Sequence, residues 1–184
     1  MNFNISSTSL LSYIMALSLN KYGIDKISVR KQNLKSYGRY YSLNYFGKKF
    51  LEHIEIWDHM ESKSIVPYNT IEIYKKDIKT LSFCAKDINI DYLGYIINED
   101  NLINSVTKKI TANKNFNFIS EKNYSDNLST STNIISDYKD VSPEIQSKNY
   151  TSKTYNQTAI NINITHSKSN NNVPRQIFFN NEIL

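Results

Sequence analysis

The chain has 184 residues, 40% hydrophobic, 12% aromatic and 21% charged, with a formal net charge of +5. That length holds one domain, or one domain and part of a second, with enough apolar side chain for a core. No apolar run approaches the roughly 20 residues of a membrane span, and a single cysteine, Cys84, excludes a disulfide framework and any multi-cysteine zinc site.

The longest helical apolar candidate, Leu10–Leu19, is interrupted by Ser12 and Ser18 and lacks the basic flank and cleavage site of a signal peptide. With one cysteine, the chain reads as cytoplasmic. Asn and Ile each occur 25 times against 4 Ala and 3 Arg, so lysine carries nearly all the positive charge. The lysines are scattered among acids and the arginine fork that grips phosphate and guanine is almost absent, so no nucleic-acid surface is expected.

Residues 2–5 suit a short strand. Leu10, Leu11, Ile14 and Leu17 recur at helical spacing, and Gly23 stands where a helix C-cap belongs. Asp25–Val29 alternates, with Ile27 and Val29 on one face. Strand, helix, strand within about thirty residues opens a parallel α/β unit. A loop rich in Tyr and Lys follows, then a helix expected from Leu43 to Met60 with the stripe Phe46, Phe50, Leu51, Ile54, Trp57. Residues 69–74 and 78–84 alternate as strands around the turn Lys75-Lys76-Asp77. Tyr92–Ile97 is a further strand, and Glu99-Asp100 start a helix to about Lys109, acids first as the helix dipole favours. Residues 115–119 alternate again.

From Ser120 to Lys153 periodicity is lost in a Ser-, Asn-, Asp- and Lys-rich stretch, which reads as a weakly ordered loop. Gln157–Thr165 alternates and predicts a strand, as does Gln176–Phe179. The chain ends one residue after the apolar Ile183, which suggests an interrupted fold.

Chemistry-bearing constellations are few. His53 and His59 are six apart, on different helix faces, so they make a solvated face rather than a zinc pair. His166 stands at a strand end without a sequence neighbour to activate it. Cys84 reads as a small core residue. Neither a Gly-x-Ser-x-Gly elbow nor a P-loop occurs. No metal site and no catalytic side chain is expected.

Three stretches resemble the flavin-dependent aromatic hydroxylases of ubiquinone biosynthesis, the 2-octaprenyl-6-methoxyphenol hydroxylase type. Gly38-Arg39-Tyr40-Tyr41-Ser42-Leu43, running into Lys48–Asp58, is similar to that family's D-x-R-A-x-A-L loop and the helix after it. Leu93-Gly94-Tyr95-Ile96-Ile97-Asn98, with Leu102, is similar to a strand and helix start of the family. Tyr155-Asn156-Gln157-Thr158-Ala159-Ile160, then Thr165-His166 and Gln176-Ile177-Phe178, is similar to a strand of its substrate domain. The resemblance spans the chain and implies an α/β architecture: a partial Rossmann-like FAD-binding fold with part of an antiparallel substrate-domain sheet. It divides the chain into residues 1–119 (a degenerate FAD-binding-like region with the first substrate-domain strands), the polar loop 120–153, and truncated substrate-domain strands at 154–184. In the family NAD(P)H reduces FAD, which then uses O2 to hydroxylate an aromatic quinone precursor.

Departures from the family fall on its cofactor motifs. Its G-x-G-x-x-G aligns with Ser7-Thr8-Ser9-Leu10-Leu11-Ser12, so Ser7, Ser9 and Ser12 stand in place of glycines. Where those glycines need positive φ, three Cβ atoms would cost about 3 kcal/mol or more together, roughly a hundredfold in affinity. The ribose-binding acid at the end of the second strand is replaced by Arg30 or Lys31, and Arg39 matches the flavin-contacting arginine. Asn98-Glu99-Asp100 stands where the family has Glu-Asn-Arg, and Ser136-Asp137-Tyr138 where it has Ala-Asp-Gly. The second flavin motif, Gly-Asp-Ala-x-His, has no counterpart. The cofactor positions implied are therefore Ser7, Ser9, Ser12 and Arg39, in a chain expected to lack independent catalysis. The alternatives are a non-catalytic partner of an intact quinone-pathway hydroxylase, or one piece of a split enzyme completed by a second chain. Location at the periphery of the inner membrane accompanies these readings.

Overall fold

The computed structural model describes residues 2–120, 132–134, 153, 158, 160, 162–164, 172–179 and 182–183. The chain forms two compact units, each drawn from separated stretches: residues 1–37 with 103–160, and residues 38–102 with 161–184.

In the first unit, β1 (Phe3–Ile5), α1 (Leu10–Lys21) and β2 (Ile27–Arg30) form the expected strand-helix-strand opening. β1 and β2 are parallel, so the chain must cross over between them, and α1 makes that crossing. α1 buries Ser12, Tyr13, Ala16 and Leu17 while Leu11 is half exposed, so its buried stripe is turned relative to the expected Leu10, Leu11, Ile14, Leu17. The helix ends as Gly23 indicates: Gly23 takes φ +85°, its N–H donates to Asn20 O, and Ile24 N–H donates to Leu19 O. These are the paired bonds of a Schellman cap.

α3 (Glu99–Ala112) crosses the boundary between the units after Leu102. Its Leu102, Ile103, Val106 and Ile110 are buried at helical spacing. β8 (Phe116–Ile119) and β9 (Thr132–Ile134) complete a parallel sheet in the order β8-β2-β1-β9, filled by Ile5, Ile27, Val29, Phe116 and Ile119. β9 lies inside the stretch expected to be loop. Three residues are too few for a periodic signal, and β9 exists through its pairing with β1 and a bond from Asn4 Nδ2 to Asn133 Oδ1 at 3.3 Å.

The second unit carries two sheets. β3 (Tyr40–Asn44), β7 (Gly94–Asn98) and β4 (Ile65–Tyr68) pair antiparallel in the order β3-β7-β4. β5 (Thr70–Lys75) and β6 (Ile78–Cys84) form the expected hairpin. β10 (Arg175–Phe179) adds to β5 in parallel and β11 (Glu182–Ile183) closes the order β11-β10-β5-β6. Leu51, Ile54, Ile56, Tyr68, Tyr95 and Ile97 are buried here.

Two expectations change in this unit. Residues 40–44, expected as loop and helix start, are a strand, because β7 supplies a ladder for them. The helix expected to Met60 is α2 (Tyr45–His53), followed by a separate 3-10 turn at Trp57–His59. Glu55 adopts φ +59°, with bonds from Glu55 N–H to Glu52 O and from Ile56 N–H to Leu51 O, the same cap as in α1 built without glycine. The chain turns there because it buries Leu51, Ile54 and Ile56 together, leaving Phe46 at 78% and Phe50 at 42% exposure.

In the expected strand Gln157–Thr165, the described positions 158, 160 and 162–164 are not in a strand, and Ile160, Ile162 and Ile164 are exposed. The rest of that stretch, His166 and Ser136-Asp137-Tyr138 lie outside the described residues.

Candidate cofactor site

In an open α/β sheet, dinucleotides lie beyond the carboxyl ends of the strands, on the loop that enters the first helix. Here that loop is Ser6–Ser9, between β1 and α1. Ser7 and Ser12 are fully buried. Ser12 Oγ donates to Ser7 O at 2.9 Å and accepts from Ser9 N–H at 3.4 Å. Ser12 N–H returns to Ser9 O at 3.0 Å, and Ser6 N–H donates to Ile134 O at 3.1 Å. The serines thus bond to one another across the start of α1.

Their backbone is unstrained. Among the described residues, positive φ at a non-glycine position occurs at Glu55, Lys76, Asn89 and Asn172, and Ser9 is extended at φ −131°. The strain cost argued from sequence does not arise, because the loop takes a conformation open to serine.

The end of β2 supplies a residue that sequence reasoning missed. Gln32 Nε2 donates to Ser9 O at 3.0 Å, Gln32 N–H donates to Tyr13 Oη at 3.2 Å, and Tyr13 O–H lies 3.4 Å from Gln32 O. Gln32 Oε1 is a buried acceptor without a donor among the described residues. Burial pushes the Tyr13 phenol above its ordinary pKa, partly offset by its backbone bond to Gln32. No sequence motif marks Gln32, since only the fold brings it beside Ser9.

Arg39 belongs to the other unit and is itself partnered. Its guanidinium meets Glu99 Oε1 at 3.3 Å and its N–H meets Glu99 Oε2 at 3.2 Å, while Glu99 N–H donates to Arg39 O at 2.9 Å. Tyr41 O–H also donates to Glu99 Oε1. Glu99 is buried while Arg39 is 49% exposed. Burial, and then the Glu99 carboxylate, raise the Tyr41 pKa above its usual value. Glu99 is legible in the sequence as a helix-start acid, but its role as the anchor of Arg39 is not.

A cradle for a pyrophosphate needs loop N–H groups free to meet phosphate oxygens. The N–H groups of Ser6, Ser9 and Ser12 are already donated within the unit, and two of the serines are fully buried. Those three N–H groups are therefore not open to a phosphate in this conformation. A polar groove of about 470 Å3, lined by Asn2, Lys26, Lys114 and Asn117 among others, opens at the amino ends of β1, β2 and β8, opposite the dinucleotide position. Among the described residues no group of three His, Cys, Asp or Glu side chains could hold a metal, and no helix is long and apolar enough to cross a membrane.

The chain has a mixed α/β fold, a partial version of that of FAD-binding monooxygenases. A mutant of PqsL from P. aeruginosa superposes with TM-score 0.54 at 15% identity over 65% of this chain and 33% of that one. The unmodified PqsL of Pseudomonas aeruginosa, described as a probable FAD-dependent monooxygenase, gives 0.53 at 13% identity over 65% and 32%. A mutant of 2-methyl-3-hydroxypyridine-5-carboxylic acid oxygenase gives 0.52 at 15% identity over 65% and 31%. The chain spans about a third of the length of each. No family model and no curated protein matches the sequence. At such identities the likeness defines the fold, and function rests on the site.

Proposed function

We propose that the chain is a degenerate relative of the amino-terminal part of flavin-dependent aromatic monooxygenases, of the type that hydroxylates ubiquinone precursors, and that it neither binds FAD nor catalyses hydroxylation by itself. The observation that carries this reading is the closed serine loop: Ser12 Oγ is bonded to Ser7 O and Ser9 N–H at the position where the related fold presents glycines to a pyrophosphate. The pairing of Arg39 with Glu99 supports it at a second position implied for flavin contact. The ubiquinone type rests on the motif resemblance at residues 38–58, 93–98 and 155–178. In this proposal residues 1–119 retain the FAD-binding-like region and residues 154–184 the substrate-domain strands, joined by 120–153.

The test is the visible spectrum of the purified chain after incubation with excess FAD and desalting, followed by addition of NAD(P)H. A colourless protein that oxidises no NAD(P)H is the expected result. A stoichiometric flavin band would overturn the reading.

A further inference from the structure

A parallel sheet is ordinarily covered on both faces, and its strands then read as runs of Val, Ile and Leu. The sheet β8-β2-β1-β9 departs from this, because its strands alternate. Ile5, Ile27, Val29 and Phe116 are buried on one face, where Tyr13 of α1 meets Phe118 edge-on at 6.3 Å. Their neighbours in the chain point to the other face. The register sets Asn117, Ser28, Asn4 and Asn133 side by side there, one from each of the four strands. An apolar layer over that row would strip its amides of water without giving hydrogen bonds in return, which is costly. A hydrophilic ligand carries no such cost.

Three of the row, Asn4, Ser28 and Asn117, line the groove of about 470 Å3 at the amino ends of β1, β2 and β8. That volume lies within the roughly 300–1,000 Å3 of small-molecule sites. Lys26 and Lys114 line the groove too, and among the described residues no acidic side chain forms an ion pair with either. The one carboxylate of the lining, Asp25, is held by amides: its Oδ1 accepts from Asn115 Nδ2 at 3.3 Å and from Asn20 Nδ2 at 3.5 Å. Two cations against one anion leave the groove positive.

We propose that this groove binds a small hydroxyl-rich anion, a sugar phosphate or a sugar acid. Lys26 and Lys114 meet the acidic group, and Ser28 and Asn117 meet the hydroxyls. Side-chain amides and hydroxyls both donate and accept, as sugar hydroxyls do. An inorganic anion alone would satisfy the lysines and leave the polar row unused. The groove stands at the end of the sheet opposite the dinucleotide position, so the proposal does not depend on the flavin reading.

The test is isothermal titration calorimetry of the full chain with glucose 6-phosphate, gluconate, glucose and inorganic phosphate. At least one of the two acids is expected to bind at about 1 mM or below, and the tighter of them identifies the acidic group. Glucose and inorganic phosphate should bind about tenfold more weakly or less. Lys26→Gln and Lys114→Gln, both at exposed positions, should each weaken binding by about fivefold or more. Asn117→Leu should weaken the acid and leave inorganic phosphate unchanged. Amide shifts of the unaltered chain, perturbed by the ligand at 26–28 and 114–117, place the site even where a variant fails to fold. No binding of either acid, equal binding of inorganic phosphate (an adventitious ion only), shifts confined to other residues, or binding indifferent to both lysine variants overturns the proposal.

Discussion

Ser12 shows how one hydroxyl can change what a loop is for. Its Oγ donates to Ser7 O and accepts from Ser9 N–H, both inside the unit. Ser12→Ala deletes a buried hydrogen bond and should destabilise the chain by about 1–2 kcal/mol, measured by urea denaturation in the absence of any flavin. A loop that waits for a cofactor would show no such cost without the cofactor present. At Gly94 the constraint is steric: a Cβ there would stand 2.5 Å from Leu43 O and closer still to Tyr68 Oη. Gly94→Ala should therefore cost on the order of 1–3 kcal/mol by forcing β3 away from β7, visible as a lowered denaturation midpoint. This gives a packing reason for a glycine that the motif resemblance singles out without explaining.

Charge at the same scale centres on Glu99. Tyr41 keeps its proton to higher pH in the folded chain than in the unfolded one, because burial and the Glu99 carboxylate both oppose a phenolate. A folded pKa above the unfolded value contributes stability that is complete below the unfolded pKa, about 10, and that is lost as pH rises from there through the higher folded pKa. Stability should therefore fall on an alkaline limb above about pH 10. Tyr41→Phe should make that limb shallower, with Tyr13, whose pKa is also raised, accounting for part of what remains. Denaturant midpoints measured from pH 8 to 11 test this, and an unchanged limb in Tyr41→Phe would count against it.

Among the elements, the two helix ends make a controlled comparison. α1 and α2 stop with the same pair of capping bonds, one with Gly23 and the other with Glu55 in the left-handed region. Gly23 announces its cap in the sequence. Glu55 does not, so periodicity alone carries the helix on to Met60. A non-glycine residue in that region costs about 1–2 kcal/mol, which burial of Leu51, Ile54 and Ile56 offsets. Glu55→Gly should stabilise the chain by up to about 1 kcal/mol, read from the denaturation midpoint. Asn44→Ala should do the reverse by about 1 kcal/mol, because Asn44 Oδ1 accepts from Gly47 N–H at 2.7 Å at the start of α2.

Strands divide in the same way. β2, β5, β6 and β8 are legible because each alternates, β7 because Tyr95-Ile96-Ile97 form a short apolar run, and the β5–β6 turn is marked by Lys75-Lys76-Asp77. β3 and β9 are not legible. β9 is too short to show a period and β3 lies in a run of Tyr and Lys that reads as loop, and what makes them strands is a neighbour: β7 for β3 and β1 for β9. The alternation at Gln157–Thr165 fails in the opposite direction, with three isoleucines exposed. Period-2 patterning indicates a half-buried surface only where a second surface exists to bury it.

For the whole molecule, the order strand, helix, strand with a parallel sheet, followed by antiparallel strands, is the part of the architecture the amino-acid sequence determines by itself. Local spacing of Ile27, Val29, Val106 and Ile110 encodes it, and so do the caps at Gly23 and Glu99. The motif resemblance pointed to the monooxygenase class of fold, and the superposition on PqsL shows that fold over 65% of the chain. Tertiary structure alone decided that residues 38–102 and 161–184 share a unit, that Gln32 reaches Ser9, and that Glu99 takes Arg39. Each of these joins groups 23 or more residues apart. Hydrogen-bond partners at that separation are chosen by packing, which no local pattern of side chains records.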